Sequence, residues 1–156
     1  AGSIDLVANY SLELETPGIN LRSYFFWGKR ACFGPEFTYF FDQTKEKDGE
    51  EITTSAYTFD FNAHYQFELI EERLGIYPIL GIDFTREKEK VSAPDESFEI
   101  IERAIGMNLG IGLEVPLAPR VGLFSEYIHT FSKLDDDVVF VGLSFRWGRA
   151  PREEEE

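Results

Sequence analysis

The chain has 156 residues, with 29 acidic against 15 basic side chains and a formal net charge of −14. That length holds one domain with a single core or a single barrel, and the acidity excludes a nucleic-acid partner, whose phosphates would repel it. No apolar run approaches the ~18 residues of a membrane helix, and the one cysteine, Cys32, has no partner for an internal disulfide.

Eight segments alternate apolar and polar side chains with period two, the pattern of a β-strand. In chain order they are residues 4–14, 19–27, 31–41, 54–69, 75–86, 103–114, 120–131 and 138–147. The fourth is the clearest: Tyr57, Phe59, Phe61, Ala63, Tyr65, Phe67 and Leu69 share one face, and Thr58, Asp60, Asn62, His64, Gln66 and Glu68 the other. Such a run exceeds the ordinary strand of about 5–6 residues and suits the ~9–11 that cross a bilayer at a tilt. Connections 28–30, 70–74 and 115–119 are short, whereas 42–53, 87–102 and 132–137 are longer and strongly charged. The first, 15–18, carries the turn signal Pro17-Gly18. Residues 42–53 and 87–102 have little apolar content and are expected to be mobile. Pro35 and Pro78 fall inside strands, where each removes a ladder donor, so a bulge or an early strand position is expected there.

Three observations place the apolar face outward. The polar face also carries Gly34, Gly81, Gly106, Gly110, Gly112, Gly122 and Gly142, which a crowded narrow lumen explains and a wet outer surface does not. The apolar faces are bulky (Phe33, Phe37, Tyr39 and Phe41, for example) and would overfill an eight-stranded interior. The polar face mixes charges of both signs. The expected fold is therefore all-β: a closed antiparallel eight-stranded up-and-down transmembrane β-barrel with a polar lumen and an apolar exterior. It spans residues 1–148, with an acidic C-terminal tail at 149–156.

Candidate sites follow from register. Arg22, Glu36, Asp60, Asp83, Glu126 and Arg146 all point into the lumen, where unpaired charge is costly, and are expected to form one ion-pair network. Trp27, Phe33 and Trp147 near the short-turn rim, with Tyr39, Phe41, Tyr127 and Phe131 near the other, are expected to form aromatic girdles at the two membrane interfaces. Asp135, Asp136 and Asp137 repel one another unless a cation offsets them, and make a candidate cation contact. His64, among Asp60, Asn62 and Gln66, reads as a hydrogen-bonded core histidine. No constellation calls for a cofactor or a resident metal.

The chain resembles the eight-stranded outer-membrane β-barrel family of outer membrane proteins A and X. The likeness is carried by residues 33–39 (FGPEFTY), 77–81 (YPILG), 109–114 (LGIGLE), 123–127 (LFSEY) and the closing 141–147 (VGLSFRW). The last is similar to the signal by which such barrels are recognised for assembly, although here nine residues follow it. The resemblance implies a bacterial outer-membrane location, a bilayer and lipopolysaccharide as surroundings, and the barrel-assembly machinery as a partner. Divalent cations are a further candidate.

The leading functional reading is non-enzymatic: a barrel whose lumen is plugged by side chains and whose charged loops meet lipopolysaccharide, cations or a partner. The resemblance also admits a lipid A deacylase-like hydrolase. His129 lies outward with Ser125 and Tyr127, and Ser132 follows, but Thr130 replaces a serine and no third group is evident to orient the histidine. A soluble lipocalin-like ligand barrel is the third reading and needs the opposite facing.

Overall fold

The computed structural model describes residues 2–28, 30–70 and 73–147. Nine strand segments make up the fold: β1 (Gly2–Ser11), β2 (Thr16–Trp27), β3 (Ala31–Lys47), β4 (Glu50–Tyr65), β5 (Phe67–Ile70), β6 (Leu74–Ser92), β7 (Ser97–Ala118), β8 (Val121–Phe131) and β9 (Asp136–Trp147). Each pairs antiparallel with its neighbour, β1 pairs with β9, and both β4 and β5 pair with β6, so the sheet closes. The segments β4 and β5 are two lengths of one barrel strand, and the barrel has eight strands. The tail at 149–156 lies outside the described residues.

Pro78 explains the division of that strand. The β4–β6 ladder ends at His64↔Ile79 and resumes, in the same register, as the β5–β6 ladder at Phe67↔Ile76. The lapse falls opposite Pro78, which has no N–H to give, while on the other side of the strand the Gln66 N–H continues the β3–β4 register by bonding the Arg30 carbonyl at 2.8 Å. Pro35 acts alike: β2–β3 pairing skips from Arg22↔Glu36 to Phe25↔Phe33 without changing register. Of the two expectations, a bulge or an early strand position, the second holds: neither proline lies at a bulge, and each is the fifth residue of its strand. A bulge does occur after Phe40, where Phe41 and Asp42 of β3 stand against Ser55 of β4, and further irregularities lie between Glu68 and Ile70 and between Pro116 and Ala118.

Two expected loops are strands. Residues 42–53 and 87–102 continue the ladders beyond the barrel, through Lys47↔Glu50 and Ser92↔Ser97. Asp48 and Gly49 have φ of 52° and 79°, the two left-handed positions of a type I′ hairpin turn, which suits the twist of the flanking strands. β-Branched Ile52, Thr53, Thr54 and Val91, with Lys88 paired to Glu99 at 3.4 Å across the hairpin, favour a pleated ribbon. The first turn has its expected length but lies three residues earlier, at 12–15, because Pro17 and Gly18 belong to β2 and pair with Tyr10 and Asn9 of β1.

The facing is as the alternation predicts. Phe59, Phe61, Tyr65, Phe67, Leu109, Ile111, Val141 and Leu143 are all exposed on the outer wall. The lumen is less uniformly polar than expected: Val7, Phe40, Ala56, Tyr77, Ile79, Phe124, Ile128, Val138 and Phe140 form a buried apolar cluster within it. Glycines make room for the larger rings. A Cβ on Gly112 would meet the Tyr77 ring at 2.3 Å, and one on Gly142 would meet Phe124 at 2.9 Å.

Candidate functional site in the barrel lumen

Arg22, projecting inward from β2, is 2% exposed. Its Nη1 lies 2.7 Å from Glu126 Oε1 and its Nε 3.2 Å from Glu36 Oε1, while Nε also donates to Asn20 Oδ1 at 2.8 Å. The guanidinium carbon sits 5.1 Å and 5.2 Å from the Phe124 and Phe140 ring centroids, so ring faces complete the coordination of the cation. Around it, Tyr24 donates to Glu36, Tyr77 donates to Glu126 at 2.6 Å, and Asn62 donates to Glu36 at 2.6 Å. Charge-assisted contacts of this kind are about twice as strong as neutral ones. The result is a polar plate across the barrel waist.

The other expected members of the network sit elsewhere. Arg146 pairs with Glu114 nearer the short-turn rim and stacks over Phe26, because its place near the end of β9 puts it in a different layer from Glu36 and Glu126. Asp60 and Asp83 face each other across the β4–β6 ladder on the loop side. Asp60 accepts from Thr58 and Asn108, and Asp83 from Thr85. So Arg146 forms a separate pair, whereas Asp60 stays linked to the Arg22 plate through Asn108 and Asn62, which donates to Glu36, with Asp83 beside it.

His64 departs from expectation in its contacts. Its ring packs between Tyr24 and Tyr77, with centroids at 4.5 Å and 4.7 Å, and its Nε2 has no hydrogen-bond partner. With Tyr24, Tyr77 and Glu126 it separates two cavities. The upper, about 880 Å³, opens at the loop rim; the lower, about 40 Å³, lies toward the short turns. At the upper mouth Glu87 lies beside Glu89, Glu102, Asp136 and Glu13, and burial first, then these like charges, raises its carboxyl above the usual range.

The three consecutive aspartates diverge. Asp135 accepts the Ser132 N–H at 2.7 Å, Asp136 turns inward to Ser11 Oγ at 2.8 Å, and Asp137 turns outward to Tyr127 and His129, both at 2.6 Å. Alternation along β9 sends neighbours to opposite faces, so they build no shared cage. Among the described residues no group of three or more His, Cys, Asp or Glu is placed to hold a metal. Asp137 is also the orienting group for His129 that the sequence concealed; the two are direct partners in the β8–β9 ladder.

All seven expected girdle aromatics occupy outward positions. Trp27, Tyr39, Phe41, Tyr127, Phe131 and Trp147 are exposed, and Phe33 is half-buried between Phe25, Trp27 and Phe61. Phe25 and Phe61 extend the short-turn group.

Residues 3–147 match the outer membrane protein beta-barrel domain family. Among solved structures the chain is similar to Ail, the attachment invasion locus protein of Yersinia pestis, at 15% identity and a TM-score of 0.68 over 94% of this chain and 98% of that one. Ail has also been solved in complex with the heparin analogue sucrose octasulfate. The N-terminal β-barrel domain of Pseudomonas aeruginosa OprF (10% identity, TM-score 0.66, 92% and 95% covered) and Neisserial surface protein A (13%, 0.65, 94% of each chain) are similar as well. No curated protein matches the sequence. At these identities the structural likeness shows the fold alone.

Proposed function

The chain belongs to the outer membrane protein beta-barrel family and is a small protein of the bacterial outer membrane; from that premise we propose that it works without catalysis, as a barrel plugged at its waist that presents acidic arms and turns outside. The observation that carries this reading is the buried Arg22 held between Glu36 and Glu126. An eight-stranded barrel is only wide enough for side chains to fill, and this plate fills it with groups that are costly to separate.

The proposed surroundings are the bilayer and lipopolysaccharide. The closing alternation 141–147 supports delivery by the barrel-assembly machinery. Residues 42–53 carry five acids and two lysines, and residues 87–102 six acids and two lysines. That balance favours divalent cations as a diffuse, screened atmosphere and opposes a sulfated glycan of the kind bound to Ail. The hydrolase reading gains Asp137 as an orienting group for His129, but no serine hydroxyl hydrogen-bonds that ring among the described residues.

Planar-bilayer recording tests the plug. The wild-type barrel should be silent or nearly so, and Arg22→Ala should conduct. Steady wild-type current that Arg22→Ala leaves unchanged would remove the plug from the account.

A further inference from the structure

The upper cavity goes beyond the plugged-barrel reading, because the plug serves it only as a floor. At about 880 Å³ it falls within the ~300–1,000 Å³ of small-molecule sites. Its lining is two-sided. From β4 and β6 come the carboxyl groups of Asp60, Asp83, Glu87 and Glu89, and from β3, β8 and β9 come the apolar Phe40, Ile128, Val138 and Phe140. In the eight-strand circuit β9 stands opposite β4, so the carboxylates look across at the apolar Ile128, Val138 and Phe140, with Thr130 and Asp136 interspersed on the same strands.

Asp60 and Asp83, 7% and 2% exposed, are the deepest of these acids. They are direct cross-strand partners, an arrangement that is destabilising for like charges. Among the described residues neither has an ion-pair partner. Arg22 is taken by Glu36 and Glu126, and the lining lysines Lys45, Lys47 and Lys133 pair with neither. Thr58, Thr85 and Asn108 each give them one hydrogen bond, and the two carboxyl groups hydrogen-bond each other through one shared proton, which leaves the pair a single negative charge with no cation to offset it. A bare divalent ion is a poor match, since among the described residues no cage of three ligands is present and the facing Ile128, Val138 and Phe140 offer it none.

We infer that the loop-side half of the lumen binds a small organic ammonium ion with an apolar body, its nitrogen set between Asp60 and Asp83 and its body against Ile128, Val138 and Phe140. The ammonium supplies the missing charge and donors, and the apolar side buries the stem that water would otherwise cover.

Hexylammonium, titrated into the full-length barrel in nanodiscs and followed by amide NMR, is the probe, with hexanol and magnesium as comparisons. Hexylammonium should give saturable shifts at Thr58, Thr85, Ile128 and Phe140. Hexanol should bind at least about tenfold more weakly, as should hexylammonium to Asp83→Asn or Asp60→Asn, the loss expected for one charge-assisted contact. Equal binding of hexanol would reduce the site to an apolar cleft. Equal effects of magnesium would reduce it to a general acidic field. Shifts confined to the arms at 42–53 and 87–102 would overturn the inference from the wild type alone, even if neither variant folded.

Discussion

Arg22 on β2 and Glu126 on β8 meet at 2.7 Å across the lumen, although three strand-to-strand ladders separate their backbones around the wall. The contact therefore ties opposite parts of the barrel in a way no backbone ladder can. Removing Glu126 leaves a buried cation with one carboxylate, Glu36, and the Asn20 carbonyl as its remaining acceptors. Glu126→Ala should cost about 3–5 kcal/mol, the range for breaking a buried pair, and it also orphans the Tyr77 hydroxyl. Glu126→Gln should cost less, because its carbonyl can still accept from both donors. Urea unfolding in lipid vesicles would measure the pair; equal stability of wild type and Glu126→Ala would contradict the bracing role.

Gly112 offers a test of lumen packing. Its missing Cβ is occupied in effect by the Tyr77 ring, which is held in place by Glu126. Gly112→Ala should destabilise by about 1–3 kcal/mol, the usual cost of overpacking. The partner variant Gly112→Ala with Tyr77→Phe should recover part of this, since the freed ring can shift. Gly49 behaves differently: its φ of 79° strains any side chain, yet nothing lies within 4 Å, so Gly49→Ala should disturb only the arm tip. Comparing the three melting curves separates steric crowding from backbone strain.

Strand number, facing and closure were legible because alternation is a local signal, and a one-residue slip would turn every apolar side chain inward. Cross-strand height was not legible. Arg146 and Glu36 share a register face, but only the ladders reveal that Arg146 lies beside Glu114. For the same reason Asp137 could not be seen to face His129. The inward rings of Phe40, Tyr77, Phe124 and Phe140 fell on the polar register and were overlooked, although the glycines beside them were the available sign. Lys- and Glu-rich stretches read as loops because charge suggests solvent; a ribbon standing in water satisfies charge and β-pairing together.

Glu87 gives a pH-dependent outcome. Its folded carboxyl titrates above the ordinary range, so the folded state binds its proton more tightly than the unfolded chain does. Stability is then lost as pH rises from the ordinary glutamate range through the folded value. Glu87→Gln should raise the melting temperature modestly at neutral pH, discounted because solvent reaches half the group, and the difference should vanish in acid. A difference that persisted or grew on acidification would reverse the assignment.

Asp135, Asp136 and Asp137 yield the last expectation, because they point in three directions. Asp136 is the one whose side chain ties β9 to β1, binding Ser11 and the Glu13 N–H beyond it. Asp136→Asn should weaken closure of the first turn by about 1 kcal/mol, the worth of a typical hydrogen bond. Asp135→Asn should cost less, since its bond lies within an exposed turn. Asp137→Asn should leave the fold intact and free the Tyr127 and His129 side chains, visible as changed ring signals of both residues by NMR. With no shared cage, millimolar calcium should produce small, non-saturating amide shifts at all three. A saturable calcium response that disappears in each single variant would show that the three carboxylates converge after all, through a rearranged turn at 132–135.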